Sequence, residues 1–298
     1  MTRVLVTGAR GFVGRYLVEH LERTGADLTA WGRQQVDLLD RKAVARAMAE
    51  LRPAVVYHCA GAAHVGQSFD NIADTLAANV LGTHHVLDGL RHAGVSARVV
   101  ITGSSLVYRQ CDRRLKEEDP TGPVTPYAVS KLAQEMLGRR AIKEDRQQVL
   151  LTRPFNHTGP RQNPTYAAPT FAQQIALIEK GRMRPEIIVG NLEASRDLHD
   201  VRDTIRAYTT IAERGEPGRV YNVCSGQAFK IRDVLDRLVG MSRIPVTVTV
   251  DPARYRPCDN PMLWGDPTRI ERELGWKAEI PLSTTLADLL DYWRKEVQ

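Results

Sequence analysis

RVLVTGARGFVG, residues 3–14, joins a short apolar run to three glycines spaced three apart, Gly8, Gly11 and Gly14. Glycines at such a turn allow a tight strand-to-helix connection and a close approach of the backbone to a ligand, and the amides of a helix N-terminus favour a pyrophosphate. A plain strand-to-helix turn also accepts glycine, but the position in a first βαβ unit favours a dinucleotide site. A P-loop is excluded because no Gly-Lys-Ser/Thr follows.

The pattern of a strand followed by a helix repeats through the first half of the chain. The β-rich runs LTAWG, AVVYHCAG and ARVVITGSS alternate with helices predicted at about 13–23, 41–51 and 72–92. This alternation indicates an α/β fold with a Rossmann-type, doubly wound parallel sheet. We expect an NAD(P)-binding domain and a smaller C-terminal α/β substrate lobe. The predicted segments are 1–155 with about 198–212 for the domain, and 156–197 with 213–298 for the lobe.

Composition narrows the classes of function. The 298 residues are 43% hydrophobic and 26% charged, which is typical of a globular protein. No apolar run approaches the roughly 18 to 20 residues of a membrane helix, and the N-terminus lacks a signal-peptide pattern, so we expect a cytoplasmic protein without a membrane partner. The net charge of +6 comes from dispersed basic residues, which favours a small anionic ligand over nucleic acid. The cysteines and histidines lack metal-site spacing, so no metal is expected.

The end of the second predicted strand bears on the choice of cofactor. Many dinucleotide sites place an acid there to accept hydrogen bonds from the adenosine ribose, but this chain has Arg33. A guanidinium suits a phosphate, which favours NADP(H) over NAD(H); the alternative is a solvated loop residue. Asp37, followed by Leu38, lies where a carboxylate meets the adenine amino group or caps the next helix.

The segment TPYAVSKLAQE, residues 125–135, places Tyr127 four residues before Lys131. Side chains at this spacing lie side by side on a helix, so a phenol and an ammonium can act on one small ligand. Packing or chance explains most isolated pairs of this kind. Motifs elsewhere in the sequence are therefore needed to distinguish a structural pair from a catalytic one.

Several motifs in the right order carry a family resemblance. GARGFVG, HCAG (58–61), NVLGTHHVLDGL (79–90), the pair Ser104-Ser105 and YAVSK together resemble the extended short-chain dehydrogenase/reductases that act on nucleotide sugars. RPFNHTGPRQ (153–162), VGNLEASRDLHDVRD (189–203) and VYNVCSGQAFKIRDVL (220–235) are similar to the branch acting on GDP-mannose derivatives. That branch includes 4,6-dehydratases and 4-keto reductases.

The resemblance implies roles for named residues. Tyr127 exchanges the proton at the sugar oxygen, Lys131 lowers the pKa of the phenol and holds the nicotinamide ribose, and Ser104 orients the sugar oxygen. The implied cofactor-binding residues are Gly8, Gly11, Phe12, Val13, Gly14, Arg33, Asp37, Leu38, Ala60, Gly61, Ala62, Tyr127, Lys131 and Pro154. The implied substrate-binding residues are Ser105, Asn156, Asn191, Arg196, Arg256 and Asp259. Weaker candidates, each with a structural alternative, are His64, Ser68, Arg161 and Arg182.

By the same resemblance, Ser104, Tyr127 and Lys131 form a catalytic trio that the whole branch shares, so the residues beside this trio have to distinguish its reactions. Sugar-nucleotide dehydratases carry a glutamate two residues before the strand-end tyrosine, where this chain has Leu106 before Tyr108. A leucine cannot take up a proton, so elimination is disfavoured. We therefore expect NADPH-dependent reduction of the 4-keto group of GDP-4-keto-6-deoxy-D-mannose to GDP-D-rhamnose. A 4-epimerase is the first alternative, followed by a GDP-mannose 4,6-dehydratase and a non-catalytic NADP(H) sensor.

Two further features qualify this expectation. Similar enzymes have glycine after the strand-end tyrosine, whereas this chain has Arg109, so the identity of the sugar is less firmly implied than the chemistry. Members of the family commonly form homodimers through the helices that follow HCAG and GSS. The apolar pattern of residues 72–92 permits such a dimer.

Overall fold

The first half of the chain builds a parallel sheet. The computed structural model describes residues 2–251, 253 and 260–297. The six strands of this sheet lie in the order β2-β1-β3-β4-β5-β9, and all neighbouring strands are parallel. Their bounds are β1 (Arg3–Thr7), β2 (Asp27–Trp31), β3 (Val55–His58), β4 (Arg98–Thr102), β5 (Gln148–Pro154) and β9 (Val220–Val223).

Helices cover both faces of the sheet. Successive side chains of a strand point to opposite faces, and in β1 Val4 and Val6 belong to one core cluster while Leu5 belongs to another. The Val4 side carries α1 (Phe12–Arg23), α8 (Val201–Arg214) and α10 (Thr268–Leu274). The Leu5 side carries α2 (Arg41–Leu51), α5 (Gly82–His92) and α6 (Pro126–Asp145). The predicted doubly wound α/β fold is confirmed.

The order of the strands determines where a ligand can bind. Strand β1 lies between β2 and β3, so the winding direction changes at β1. In open parallel sheets ligands bind in the crevice beyond the carboxyl ends of the strands at such a point. The connection after β3 contains α3 (Gln67–Asp70), α4 (Ile72–Leu76) and a π-helical turn (Ala77–Leu81) that continues into α5. A 3-10 turn (Ser105–Val107) follows β4.

The second part of the chain forms smaller sheets and a separate helical core. Strands β10, β8 and β12 form one sheet, β6 also pairs with β8, and β7 pairs with β11. The helices α7, α9 and α11 enclose a core that contains Phe171, Leu235 and Leu286. The bounds are β6 (Asn156–Thr158), α7 (Ala167–Glu179), β7 (Glu186–Val189), β8 (Ser195–Asp200), β10 (Ala228–Lys230), α9 (Ile231–Gly240), β11 (Thr247–Val250), β12 (Met262–Leu263) and α11 (Leu282–Glu296).

One predicted boundary needs correction. The expected return of the chain to the first domain near 198–212 is matched by α8, which packs on β4 and β5. The lobe assigned to 213–298 is too long, however, because β9 is the outer strand of the large sheet and α10 packs against it. Strand β9 has only four residues, all apolar or uncharged. So short a segment does not show in the sequence which of the sheets the strand joins. Among the described residues no helix is long and apolar enough to cross a bilayer.

Candidate active site

The glycine loop brings backbone against backbone at the end of β1. Gly8 has φ +68°, and a side chain there would place its Cβ 2.6 Å from the amide nitrogen of Ala60. A Cβ on Gly14 would collide with the carbonyl oxygen of Gly8. Helix α1 starts after Gly11 with no side-chain cap and no acidic residue in its first turn. The loop therefore leaves a helix N-terminus that is not neutralised by a side chain, the arrangement that favours a pyrophosphate.

A cleft of about 760 Å³ opens at this end of the sheet. Its lining comes from the loops after β1, β2 and β3, together with the segment before α7. The predicted cofactor-binding residues that line it are Gly8, Gly11, Arg33, Asp37, Leu38, Ala60, Gly61 and Ala62. The other predicted cofactor-binding residues lie outside this lining: Phe12, Val13, Gly14, Tyr127, Lys131 and Pro154. The Phe12 ring instead stacks on His157 with centroids 6.1 Å apart.

Cationic side chains lie at the end of β2. The Arg33 side chain is 81% exposed, and its Nε lies 3.8 Å from the Asp37 carboxylate. Asp37 accepts a hydrogen bond from the Leu39 amide, whereas α2 is capped by Asp40, so capping of α2 by Asp37 is wrong. Arg10, which the sequence reasoning did not single out, donates to Gln34 beside Arg33 at 2.6 Å.

Helix α6 presents the tyrosine and the lysine together. Thr125 caps the helix by accepting from the Ala128 amide at 3.1 Å, which fixes the first turn around Tyr127. The Lys131 Nζ lies 5.9 Å from the centroid of the Tyr127 ring and donates to the Thr102 carbonyl at 2.7 Å. The sequence pair is therefore a spatial pair at the carboxyl end of β4.

Burial governs the ionisation of this pair. Burial raises the pKa of the Tyr127 phenol to about 12, and a hydrogen bond with Ser104 offsets part of that rise. Burial also lowers the pKa of the Lys131 ammonium from 10.5 to about 8. The Lys131 ammonium donates to Thr102 and Gln134, and burial is the largest effect on the phenol pKa, so the role of Lys131 in lowering that pKa stays a prediction. Tyr127 is therefore protonated at neutral pH and can act as an acid.

Two supporting residues emerge from contacts between distant parts of the chain. Asn79, in the π-helical turn, accepts from the Ala62 amide at 2.7 Å and donates to Ser130 at 2.8 Å, so it ties the cleft to α6. Ser68 donates to the Val65 carbonyl and accepts from the Tyr127 amide at 3.3 Å. Asn79 was missed because nothing in its spacing marks it. Ser68 positions the start of α6.

A second cleft of about 920 Å³ lies beside the start of α6, where Thr125 is part of its lining. It is lined by Leu106, Tyr108, Asn191 and Arg196, and Thr165 lines both clefts. No acidic side chain is among the described residues that line the second cleft. An anion therefore meets no carboxylate among these described residues.

The remaining candidates have other positions. Ser105 is buried in the 3-10 turn, and Asn156 is exposed on β6 outside both linings. His64 lines the first cleft, with its ring centroid 5.4 Å from that of Tyr166. Arg161 forms an ion pair with Glu19, and Arg182 is exposed after α7. Arg256 and Asp259 lie outside the described residues.

Comparison with known families agrees with this arrangement. Residues 4–224 match the model described as NAD dependent epimerase/dehydratase family. The chain belongs to that family. The resemblance to extended short-chain dehydrogenase/reductases seen in the sequence is thereby confirmed.

Relatives within the epimerase/dehydratase family span this chain almost completely. GDP-6-deoxy-D-mannose reductase of Pseudomonas aeruginosa is 36% identical over 303 residues, covering 99% of this chain and 98% of the reductase. The structure of RMD from Pseudomonas aeruginosa complexed with NADPH has a TM-score of 0.93 at 34% identity, covering 99% of this chain and 100% of that chain. Thermus thermophilus UDP-glucose 4-epimerase in complex with NAD has a TM-score of 0.88 at 26% identity, covering 98% and 99% of the two chains.

Proposed function

We propose that this member of the epimerase/dehydratase family is an NADPH-dependent reductase. Its substrate is GDP-4-keto-6-deoxy-D-mannose, and reduction of the 4-keto group gives GDP-D-rhamnose. The observation that carries the proposal is the lining of the second cleft. Leu106 occupies the strand-end position where a dehydratase has its glutamate, and no acidic side chain is among the described residues of that lining. A carbonyl held beside Tyr127 can receive the proton of the phenol, whereas Leu106 and the other described residues of that lining offer no carboxylate to move a carbon-bound proton during water loss.

The residues of the trio divide the work of reduction. The Tyr127 phenol transfers its proton to the carbonyl oxygen as that oxygen becomes a hydroxyl. The phenolate left behind is stabilised by the Lys131 ammonium, and solvent returns a proton to it between turnovers. Ser104, which hydrogen-bonds to the phenol, holds the sugar oxygen in line with it.

The first cleft fits a dinucleotide. Gly8 has no side chain that could block a pyrophosphate at the start of α1. Residues Ala60 to Ala62 line the same cleft, and Gly61 lies next to Lys131. When bound, the reduced nicotinamide supplies the hydride that goes to C4 of the sugar. Lys131 is placed to donate to the nicotinamide ribose because its Nζ reaches the end of β4.

The preference for NADP(H) rests on two cationic side chains that lie near the end of β2, Arg33 from the loop after β2 and Arg10 from the glycine loop after β1. Arg33 lines the cleft, and Arg10 lies beside its neighbour Gln34. Guanidinium groups bind a phosphate through paired hydrogen bonds, whereas a ribose hydroxyl calls for an acceptor. The Pseudomonas aeruginosa structure described with NADPH supports the same preference.

The guanosine diphosphate is assigned to the second cleft. Arg196 supplies positive charge there, and Asn191 lies on the same side with its Oδ1 accepting from the Glu193 amide at 2.8 Å. The 36% identical reductase, whose name specifies a GDP sugar, supports this assignment. Arg256 and Asp259 remain predicted contacts of the phosphates and ribose.

A homodimer is the oligomeric state that the surface favours. Ile72, Leu81, Val129 and Met136 are apolar residues between 46% and 62% exposed on α4, the π-helical turn and α6. A second copy covering these helices removes the apolar groups from water. Light scattering should report a dimer for the wild type and a monomer for Met136→Glu, with Ile244→Glu as an exposed apolar control. A wild-type monomer at micromolar concentration contradicts the proposal.

The function is tested by following NADPH with matched sugars. GDP-4-keto-6-deoxy-D-mannose should oxidise NADPH, whereas GDP-mannose should yield no 4-keto product. The uridine- and thymidine-linked 4-keto sugars test the base. Conversion of the GDP-linked 4-keto sugar without net use of NADPH contradicts the reductase and favours an epimerase, which recycles its bound cofactor.

A further inference from the structure

A row of buried, hydrogen-bonded polar side chains starts at Lys131 and has no part in the proton transfer described above. It connects Lys131 on α6 to Ala60 in the cofactor loop. The intermediate residues lie on β1, β3, α5 and α6, and their exposed fractions are between 0% and 1%. They are Gln134, Thr83, His58 and Thr7. Buried groups of this kind are costly unless every donor and acceptor is used.

The direction of each hydrogen bond at the lysine end follows from chemistry. Lys131 has only donors, so the atom of Gln134 that meets its Nζ at 2.8 Å is the amide oxygen. The Gln134 Nε2 therefore faces the hydroxyl of Thr83 and donates to it at 2.5 Å. Thr83 has one proton, and it goes to the Asn79 carbonyl at 2.6 Å, since a carbonyl can only accept.

The remaining contacts then determine the tautomer of His58. Its Nε2 lies 2.9 Å from the Thr83 oxygen, whose proton is already used, so Nε2 must carry a proton and donate. The Nδ1 of a neutral ring is then an acceptor, and it receives the hydroxyl proton of Thr7 at 2.8 Å. The Thr7 oxygen in turn accepts from the Ala60 amide at 3.3 Å. Only this one assignment of donors and acceptors lets every hydrogen bond of the row form.

We propose that His58, as the neutral Nε2-protonated tautomer, is a positioning residue that fixes Lys131 through Thr83 and Gln134 and fixes the cofactor loop through Thr7. The inference rests on the role given to Lys131 under the proposed function. His58 touches neither ligand in this scheme. It sets the relative position of the ammonium and the Ala60 amide, which lie on different elements of the fold.

The same bond directions exclude a proton wire between Lys131 and His58. Thr83 accepts from both sides and donates sideways to Asn79, so no proton can pass along the row without rotation of the Gln134 amide. Burial and the charge of Lys131 also lower the pKa of His58 to about 3, which keeps the ring neutral at ordinary pH. The network therefore fixes the positions of its side chains and transfers no proton between Lys131 and His58.

Nitrogen-15 NMR of the histidine rings tests the tautomer directly, on the full-length protein without ligand. The expected spectrum has a protonated Nε2 and an unprotonated Nδ1 for His58, unchanged between pH 6 and 8. The signal is assigned by its loss in His58→Gln. A protonated Nδ1, or a ring that titrates in this range, overturns the inference. Because no substrate is needed, this result stands whether or not the reductase proposal does.

A pair of substitutions at Thr83 tests the positioning role. Thr83→Val keeps the shape and removes the hydroxyl, whereas Thr83→Ser keeps the hydroxyl. We expect Thr83→Val to lower kcat by about tenfold or more with NADPH affinity less affected, and Thr83→Ser to restore kcat to within about twofold. Gln134→Met replaces Thr83→Val if the latter does not fold. Equal kcat in folded Thr83→Val, or failure of Thr83→Ser to restore it, overturns the positioning role.

Discussion

Removal of a single hydroxyl group at Tyr127 separates catalysis from binding. Tyr127→Phe keeps the ring beside Lys131 and keeps the backbone hydrogen bond to Ser68 at 3.3 Å, so the start of α6 should be unchanged. The substitution removes the proton donor and the hydrogen bond with Ser104. Loss of one such hydrogen bond costs about 1 kcal/mol of stability, which a domain of this size tolerates.

The kinetic effect should be far larger than the structural one. Loss of a positioned acid lowers kcat by a factor on the order of 10² to 10⁴, or roughly 3 to 5 kcal/mol of transition-state stabilisation. Stopped-flow measurement of NADPH oxidation gives kcat, and fluorescence titration gives the NADPH Kd, which should stay within about twofold. Tyr221→Phe is a matched control, because Tyr221 is 1% exposed and accepts from the Glu216 amide at 3.2 Å away from both clefts. Equal kcat in Tyr127→Phe and wild type refutes the assignment of the acid.

Three further predictions concern the lysine, the glycine loop and the cofactor. Because folding lowers the pKa of Lys131 from 10.5 to about 8, the unfolded chain binds more protons in that range, and wild-type stability relative to Lys131→Met should rise by up to about 3 kcal/mol from pH 8 to 10.5. Urea unfolding measures this difference, and a constant value contradicts it. Gly8→Ala should cost about 2 kcal/mol or more and abolish NADPH binding, since its Cβ meets Ala60 at 2.6 Å, whereas Gly25→Ala, with nothing within 4 Å, should cost about 1 kcal/mol by thermal unfolding. Arg33→Ala should weaken NADPH about tenfold and NADH less than about twofold by titration; unchanged discrimination leaves Arg33 without a role.

Local patterns in the sequence predict most of the first domain. The bounds of α2 agree with the predicted 41–51, and α1 begins one residue before the predicted 13. The predicted helix at 72–92 is present, but it includes the π-helical turn that places Asn79 against Ala62. Such a turn depends on tertiary contacts and leaves no periodic signal.

The site is predictable only where its residues are close in sequence. Tyr127 and Lys131 are recognised by their spacing on one helix, and the glycine loop by its position after β1. The hydrogen bond that Gln134 donates to Thr83 joins residues 51 apart, and the strand order of the sheet brings them together. The assignment of β9 to the large sheet was likewise beyond the sequence, because neighbouring strands of a parallel sheet need not be neighbours in the chain.

Transfer of deuterium from 4-deuterated NADPH to the sugar tests whether this protein reduces the 4-keto group. The cofactor is prepared with deuterium on the face that is transferred, and the sugar product is analysed by mass spectrometry and proton NMR. We expect one deuterium at C4 of GDP-D-rhamnose for each NADPH oxidised, in wild type and Tyr221→Phe alike. Product without deuterium at C4, or product formed without oxidation of NADPH, contradicts reduction by this enzyme.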